Sequence, residues 1–366
     1  MNTEAIMRFL NIENCEPGML VGQDIRSPKG LILLRAGNTL KPQYLQNLKT
    51  YGYKGIYIED TASKGINTRD LVPQSLRNEA TELVENLYGN MKTTDTRSFR
   101  NLMTSLETVL DDVIDSVMRN RETTVNLQTL KTYDQYTFQH SVDVAVLSML
   151  IGKELKLKRG QLLTLGTSAI FHDIGKTAIP LSILNKPAKL TDSEFTEMKK
   201  HTEYGYAILK DKMGIPDEIA LGALLHHERY DGRGYPTGRG GEDLPLYSRI
   251  MAVADVYDAM TSKRVYRKAM LPSDVYEYIM SNGGQHFDPV VTKAFLGRVA
   301  PFPVGTSVIL SNGQKGIVVE NDENFMMRPT LRIYDESMEL APDEEIEPTV
   351  VNLATELLNV TIVEVL

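Results

Sequence analysis

Apolar positions change rhythm twice along this 366-residue chain. Near the N-terminus they alternate. Residues 18–25 (GMLVGQDI) and 31–37 (LILLRAG) predict two strands joined by the turn Ser27-Pro28-Lys29-Gly30. A short helix over 41–51 and a strand over 55–59 (GIYIE) complete a small α+β module, 1–60. The polar, turn-rich stretch 60–72 then reads as a linker. From 73 the period lengthens. Leu76, Ala80, Leu83 and Leu87, then Leu102, Leu106, Val109, Val113 and Val117, predict two helices with a break near Asp95 to Arg97. Residues 61–130 are therefore a linker and helical connector.

Helical spacing continues over 131–300. A helix over 134–155 carries His140, Val144, Leu147 and Ile151 on one face. The next, over 160–174, meets Gly175 as a C-terminal cap. A third starts at the capping box Thr191-Asp192-Ser193-Glu194 and runs to about Lys210, carrying His201. A fourth over 216–229 carries His226 and His227. After a Gly-rich loop, a fifth over 248–260 carries Asp255 and Asp258 on one face. From Pro301 strand patterning returns, with a hairpin of GTSVIL and KGIVVE around Ser311-Asn312-Gly313. More strand is expected near 329–334 and 359–365. The expectation is a multidomain chain: an all-α core at 131–300, an α+β N-terminal module, and a β-rich C-terminal module at 301–366.

Composition adds limits. With 42% hydrophobic and 24% charged residues, the chain matches ordinary globular proteins rather than disordered ones. It has 40 basic and 48 acidic residues, a net charge of −8. That balance speaks against a nucleic-acid polymer as partner, because such binders need a broad basic surface. It leaves room for a small anion held by local cations. The acidity is local: residues 301–366 hold three basic and twelve acidic residues, and the rest is almost neutral. The single cysteine, Cys15, allows no intrachain disulfide, and no signal-peptide pattern opens the chain. No apolar run approaches about 18 residues, so no membrane span is expected. A cytoplasmic protein is the natural reading.

All six histidines lie between 140 and 286. Taken singly, each suits a buried core position. Together they are harder to dismiss: His172-Asp173 and His226-His227 are adjacent pairs, and His140, His201 and Asp255 come from other helices. Imidazole nitrogen with carboxylate oxygen suits Fe, Mn, Zn or Ni. Five histidines with two aspartates exceed the needs of one ion, so a site for two divalent metal ions is the economical reading. His286 is left as structural.

The runs HDIGK (172–176), HHERYDGRGYP (226–236) and ADVYDAMTSKRVYR (254–267) resemble the HD-GYP family, a branch of the HD superfamily of metal-dependent phosphohydrolases. YDQYTFQHS (133–141), IPLSILNKPAKLTDSEF (179–195) and QHFDP (285–289) extend the likeness across about 131–297. The resemblance implies an all-α HD-type domain that hydrolyses cyclic di-GMP through pGpG toward GMP. It implies metal ligands at His140, His172, Asp173, His201, His226, His227 and Asp255, with Asp173 shared by two ions, Fe or Mn foremost. Some family members hold a third metal through a Glu one turn before the first histidine. Here that position is Tyr136, a departure that favours two ions.

Two cations would make a water a better nucleophile and screen the phosphate oxygens from it. The resemblance assigns Lys176 to a non-bridging phosphate oxygen; a solvated lysine at a helix end is the plainer reading. Asp258 is expected to orient a metal-bound water or to pair with a base; a salt bridge to a nearby Arg is the plainer reading. The basic cluster Lys263, Arg264, Arg267 and Lys268 offers guanidinium forks for phosphate, with Arg267 and then Arg264 as candidates. Gly234-Tyr235-Pro236 is the family's signature, in a loop with five glycines over 232–241. Tyr235 is expected to shape the guanine pocket or to meet a partner bearing a diguanylate cyclase domain. Residues 73–130 would suit a homodimer contact. Three alternatives stay open: the mixed cyclic GMP–AMP dinucleotide as substrate, a catalytically silent nucleotide sensor, and a generic HD nucleotidase.

Overall fold

The computed structural model describes residues 7–26, 31–51, 53, 55–66, 71–90, 96–119, 136–262, 270–334 and 349–366. Strands β1 (Arg8–Asn11), β2 (Leu20–Val21), β3 (Ile25–Arg26) and β4 (Ile32–Leu34) precede helix α1 (Pro42–Thr50) and strand β5 (Gly55–Glu59). Helices α2 (Gln74–Asn90), α3 (Thr96–Arg119), α4 (Tyr136–Glu154), α5 (Arg159–Ile170), α6 (Leu181–Leu184), α7 (Asp192–Lys199) and α8 (His201–Ala207) follow. Then come α9 (Asp217–Leu225), α10 (Leu246–Thr261), α11 (Pro272–Ser281) and α12 (Pro289–Leu296). The chain ends with β6 (Ser307–Leu310), β7 (Lys315–Glu320), β8 (Thr330–Tyr334), β9 (Thr349–Asn352) and β10 (Ile362–Val365). The architecture is thus a helix-rich core with separate small sheets. Among the described residues no helix is long and apolar enough to cross a membrane.

The described residues fall into two compact units: those up to 71 and from 299 onward, and those of 72–121 with 137–298. In the first, antiparallel sheets β1-β5-β2 and β3-β4 join a five-stranded antiparallel sheet, β10-β6-β7-β8-β9. The sequence sets 1–60 and 301–366 apart, yet the chain ends meet. Phe9 N donates to Gly305 O (2.8 Å) and Asn11 N to Leu366 O (3.0 Å). Arg8, 1% exposed, ties them further through Asp60, Ser307 and Tyr334. Backbone pairing of this kind leaves no periodic trace, because it joins strand ends whose partners lie hundreds of residues away.

The second unit packs apolar faces of helices against one another, with Val144, Leu147 and Ile151 of α4 buried as their spacing predicts. Helices α2 and α3 belong to this unit rather than standing as a separate connector. Arg77 of α2 pairs with Asp143 of α4 inside the core. Tyr88 donates to Ile170 O and stacks on Phe171, the residue before His172.

Three helix ends differ from the sequence pattern. Helix α5 stops at Ile170, so His172 and Asp173 lie in a turn, and Gly175 lies in a 3-10 turn instead of capping a helix. The glycine is needed for a different reason: a Cβ there would stand 1.8 Å from His201 O, so backbone packs on backbone. Helix α9 ends at Leu225, which puts His226 and His227 just beyond it. The predicted helix over 191–210 is broken at Lys200 into α7 and α8, while its capping box forms as expected. Apolar periodicity runs on through these breaks because each turn remains buried.

Candidate metal centre

Five elements bring the ligand candidates together. His140 comes from α4, His172 and Asp173 from the turn after α5, and His201 from the start of α8. His226 and His227 follow α9, and Asp255 sits on α10. Two groups of donor atoms lie mutually within 4.8 Å: Asp173, His201, His226 and His227, and then His140, His172 and Asp255. Among the described residues these hold all seven positions that the motifs single out.

The outer ring nitrogens are tied down. Nδ1–H of His172 donates to Ala169 O (2.7 Å), and that of His201 to Met198 O (2.7 Å). His226 Nδ1–H is shared by Gly222 O (3.1 Å) and Ala223 O (3.0 Å). His140 Nδ1–H donates to Asp258 Oδ2 at 2.6 Å. A proton on Nδ1 leaves Nε2 with a lone pair, and in all four rings Nε2 faces the aspartates. His140 Nε2 lies 3.1 Å from Asp255 Oδ1, and His172 Nε2 3.3 Å from Asp173 Oδ2. His201 and His226 Nε2 lie 3.6 and 3.8 Å from Asp173 Oδ1. His227 turns Nδ1 toward Asp255 Oδ2, 3.9 Å away.

Lone pairs facing carboxylate oxygens repel unless a cation lies between them. His172 Nε2 and Asp173 Oδ1 are buried with no hydrogen-bond partner. Buried polar atoms are normally satisfied. Donor gaps of roughly 3–4 Å are what metal bonds of about 2.0–2.2 Å imply. The residues therefore fit a divalent metal. Their protonation agrees. Burial pushes the imidazoles of His201 and His226 down, and that of His227 to about 3, so they stay neutral. Burial works against ionised Asp173, but Lys176 and His172 outweigh it and hold the carboxyl well below its usual range. Burial works against ionised Asp255 as well, but the surrounding His140, His172 and His227 outweigh it and hold the carboxyl well below its usual range. Neutral imidazole with ionised carboxylate is the state that binds metal.

The remaining candidates are placed as follows. Lys176 Nζ pairs with Asp173 Oδ2, so it points into the cluster rather than standing solvated. Asp258 sits behind His140, on the ring nitrogen turned away from the other ligand candidates. Such carboxylate–histidine pairs fix the ring and raise ligand basicity. Tyr235 lies at the rim with its ring 4.9 Å from that of His227. Arg264 and Arg267, with Lys263 and Lys268, lie outside the described residues, as does the side chain of Tyr136. His286 stays out of the ligand groups; it stacks on Phe287, and burial lowers its imidazole to about 4.

Sequence reasoning missed Glu228. Its carboxylate, 2% exposed, accepts from Thr237 N (2.6 Å), Thr237 Oγ1 (2.7 Å) and Gly238 N (3.0 Å). These bonds wrap the glycine loop around the residue next to His227. Gly234 makes the wrap feasible, since a Cβ there would lie 2.4 Å from Glu228 Cα. Charge alone marks Glu228 as a surface residue, so only its buried partners reveal the role.

The centre and its helices have the makings of an HD domain: residues 121–291 match the HD domain family model. Over 226 residues it is 38% identical to "Cyclic di-GMP phosphodiesterase PA4108" of Pseudomonas aeruginosa, which covers 62% of this chain and 54% of that relative. It is 43% identical over 129 residues to "3'3'-cGAMP-specific phosphodiesterase 2" of Vibrio cholerae, covering 34% of this chain and 24% of the relative. The chain thus spans about half or less of the length of these curated relatives. In fold it is similar to Bd1817, an HDG"Y"P protein from Bdellovibrio bacteriovorus, with a TM-score of 0.51 at 15% identity, covering 79% of this chain and 98% of that one.

Proposed function

We propose that this protein is a metal-dependent phosphodiesterase that hydrolyses cyclic di-GMP to pGpG, GMP or both, lowering the level of this second messenger. The observation that carries the reading is the ring of Nε2 lone pairs gathered on two buried aspartates. The named activities of the similar relatives supply the substrate class. Two ions, Fe or Mn with Zn or Ni as lesser candidates, suit the donor set. Asp173 supports sharing between them: its Oδ1 faces His201 and His226, and its Oδ2 faces His140 and His172. Bound divalent ions supply an activated water and charge screening for the phosphodiester. The chain's own residues do the rest. Asp258 holds His140 in its tautomer, Lys176 offers a point charge to a phosphate oxygen, and Glu228 fixes the loop that carries Tyr235. Tyr235 then borders the substrate, and Arg264 and Arg267 are proposed phosphate contacts.

In this reading 131–300 is catalytic and 61–130 braces it, while 1–60 and 301–366 are accessory modules of a multidomain, cytoplasmic enzyme. A diguanylate cyclase-domain partner and a homodimer through 73–130 complete the proposal. A panel of cyclic di-GMP, 3′,3′-cyclic GMP–AMP and pGpG, with Mn or Fe supplied and products resolved by chromatography, tests it. Turnover of cyclic di-GMP is expected. Preferential turnover of the mixed dinucleotide would favour the second reading, which the similarity to the Vibrio enzyme supports. Binding of cyclic di-GMP without turnover would make the protein a sensor. An anaerobic metal count of two per chain is expected, and three would refute the argument from Tyr136.

A further inference from the structure

Phe195 and Lys199 lie four residues apart on one face of α7, ending two residues before ligand His201. The Lys199 ammonium stands 5.2 Å from the Phe195 ring centre and 5.8 Å from that of Tyr235. Tyr235 in turn rests on His227, at 4.9 Å between ring centres. A ring–cation–ring strip therefore runs from a metal-ligand candidate outward to Phe195, which is 48% exposed.

The charge on this strip is unusual for its surroundings. Lys176 pairs with Asp173, Lys186 with Glu194, Lys200 with Glu197 and Lys210 with Asp217. Among the described residues Lys199 has no carboxylate partner; its ammonium is held over aromatic faces alone. A cation over rings keeps its charge available to an anion while its position is restricted. An exposed aromatic face beside it accepts a nucleobase by stacking.

We infer that Phe195, Lys199 and Tyr235 form an outer arm of the site that holds the distal half of a dinucleotide. The inference rests on the proposed function. One phosphodiester of a cyclic dinucleotide occupies the metal centre. The second phosphate then needs a cation, which Lys199 supplies, and the outer base needs a flat apolar face, which Phe195 supplies. A mononucleotide diester has neither group and does not use the arm. Tyr235 spans the two halves and so couples the glycine loop to substrate length.

The test uses the metal-loaded full chain with Lys199→Ala, Lys199→Arg and Phe195→Ala, each assayed for metal content, for turnover of cyclic di-GMP, and for its binding by calorimetry. Lys199→Ala and Phe195→Ala are each expected to raise KM and Kd by about tenfold, with kcat within about twofold. Lys199→Arg is expected to recover most of the loss. Metal content equal to wild type excludes damage to His201 as the cause. Unchanged KM and Kd in both alanine variants overturns the arm, and so does a fall in kcat at constant KM. A wild-type chain that binds the dinucleotide without hydrolysing it overturns the phosphodiesterase reading, and the Kd comparison still decides the arm. A wild-type chain that neither binds nor hydrolyses it overturns both.

Discussion

Arg8 and Asp173 are both buried charges, and their surroundings differ in kind. In the terminal unit, Arg8 Nε donates to Asp60 Oδ2 (2.8 Å), Nη1 to Tyr334 Oη (2.7 Å) and Ser307 Oγ (3.3 Å), and Nη2 pairs with Asp60. The Tyr334 ring covers the guanidinium from 4.7 Å. That cluster is complete within the chain. In the helical unit, Asp173 Oδ1 and His172 Nε2 face other acceptors and have no hydrogen-bond partner. One cluster closes on itself and holds strands together; the other is arranged around a charge the chain does not supply. A buried polar group is informative less by its presence than by whether its neighbours satisfy it.

Breaking the open cluster should have the largest effect on function. His172→Ala or Asp173→Ala is expected to bring phosphodiester turnover below detection and to reduce bound metal, with the circular dichroism spectrum retained. Turnover at wild-type rates in either variant would remove the metal centre from the chemistry. Breaking the closed cluster should act on stability. Arg8→Ala leaves Asp60 beside a buried void and is expected to cost about 3–5 kcal/mol in denaturant unfolding. Metal content per folded chain should not change; a loss of metal would mean the two clusters are coupled.

Removing the support behind a ligand should have an intermediate effect. Asp258→Asn keeps the shape but weakens the hold on His140 Nδ1–H, so metal affinity or activity is expected to fall about 10–100-fold. A competition titration with a chelator measures it, and a loss in kcat alone, at full metal occupancy, would mean that Asp258 acts on the reaction directly.

The smallest effect concerns pH. Burial lowers the imidazoles of His201, His226 and His227 in the fold, while unfolded imidazoles take up protons near the ordinary value of about 6.5. Below that value the unfolded state binds more protons than the folded one. Stability of the metal-free protein is therefore expected to fall as pH drops from about 6.5, toward the value of about 3 for His227, and to level off above 6.5. Chemical denaturation of chelated protein at pH 5 and pH 7.5 checks the difference, and equal midpoints would contradict it.

Much of the site was legible from residue types in order. Seven ligand candidates follow from motif runs, and all seven converge. Helix periods located α2, α3 and the buried face of α4, since burial of one stripe imposes a 3.6-residue rhythm. Helix ends were less legible. His172, Asp173, His226 and His227 lie just past helices, where the chain turns so that adjacent side chains can both point inward. Composition cannot report such a turn when the turn itself is buried.

Residue identity along the chain thus determines the donor set and its chemistry: imidazoles and carboxylates, in motif runs that resemble those of HD domains, suit a divalent metal. Other properties depend on atoms brought from distant elements. Which nitrogen of each histidine faces inward is decided by a carbonyl or by Asp258 on another helix. Glu228 becomes a loop anchor only where Thr237 and Gly238 fold over it. The hydrogen bonds from β1 to Gly305 and Leu366 depend on backbone groups that every residue carries alike, so no side-chain pattern encodes them. Chemistry is a property of side chains and is readable in one dimension; satisfaction is a property of neighbours and exists only once the chain has folded.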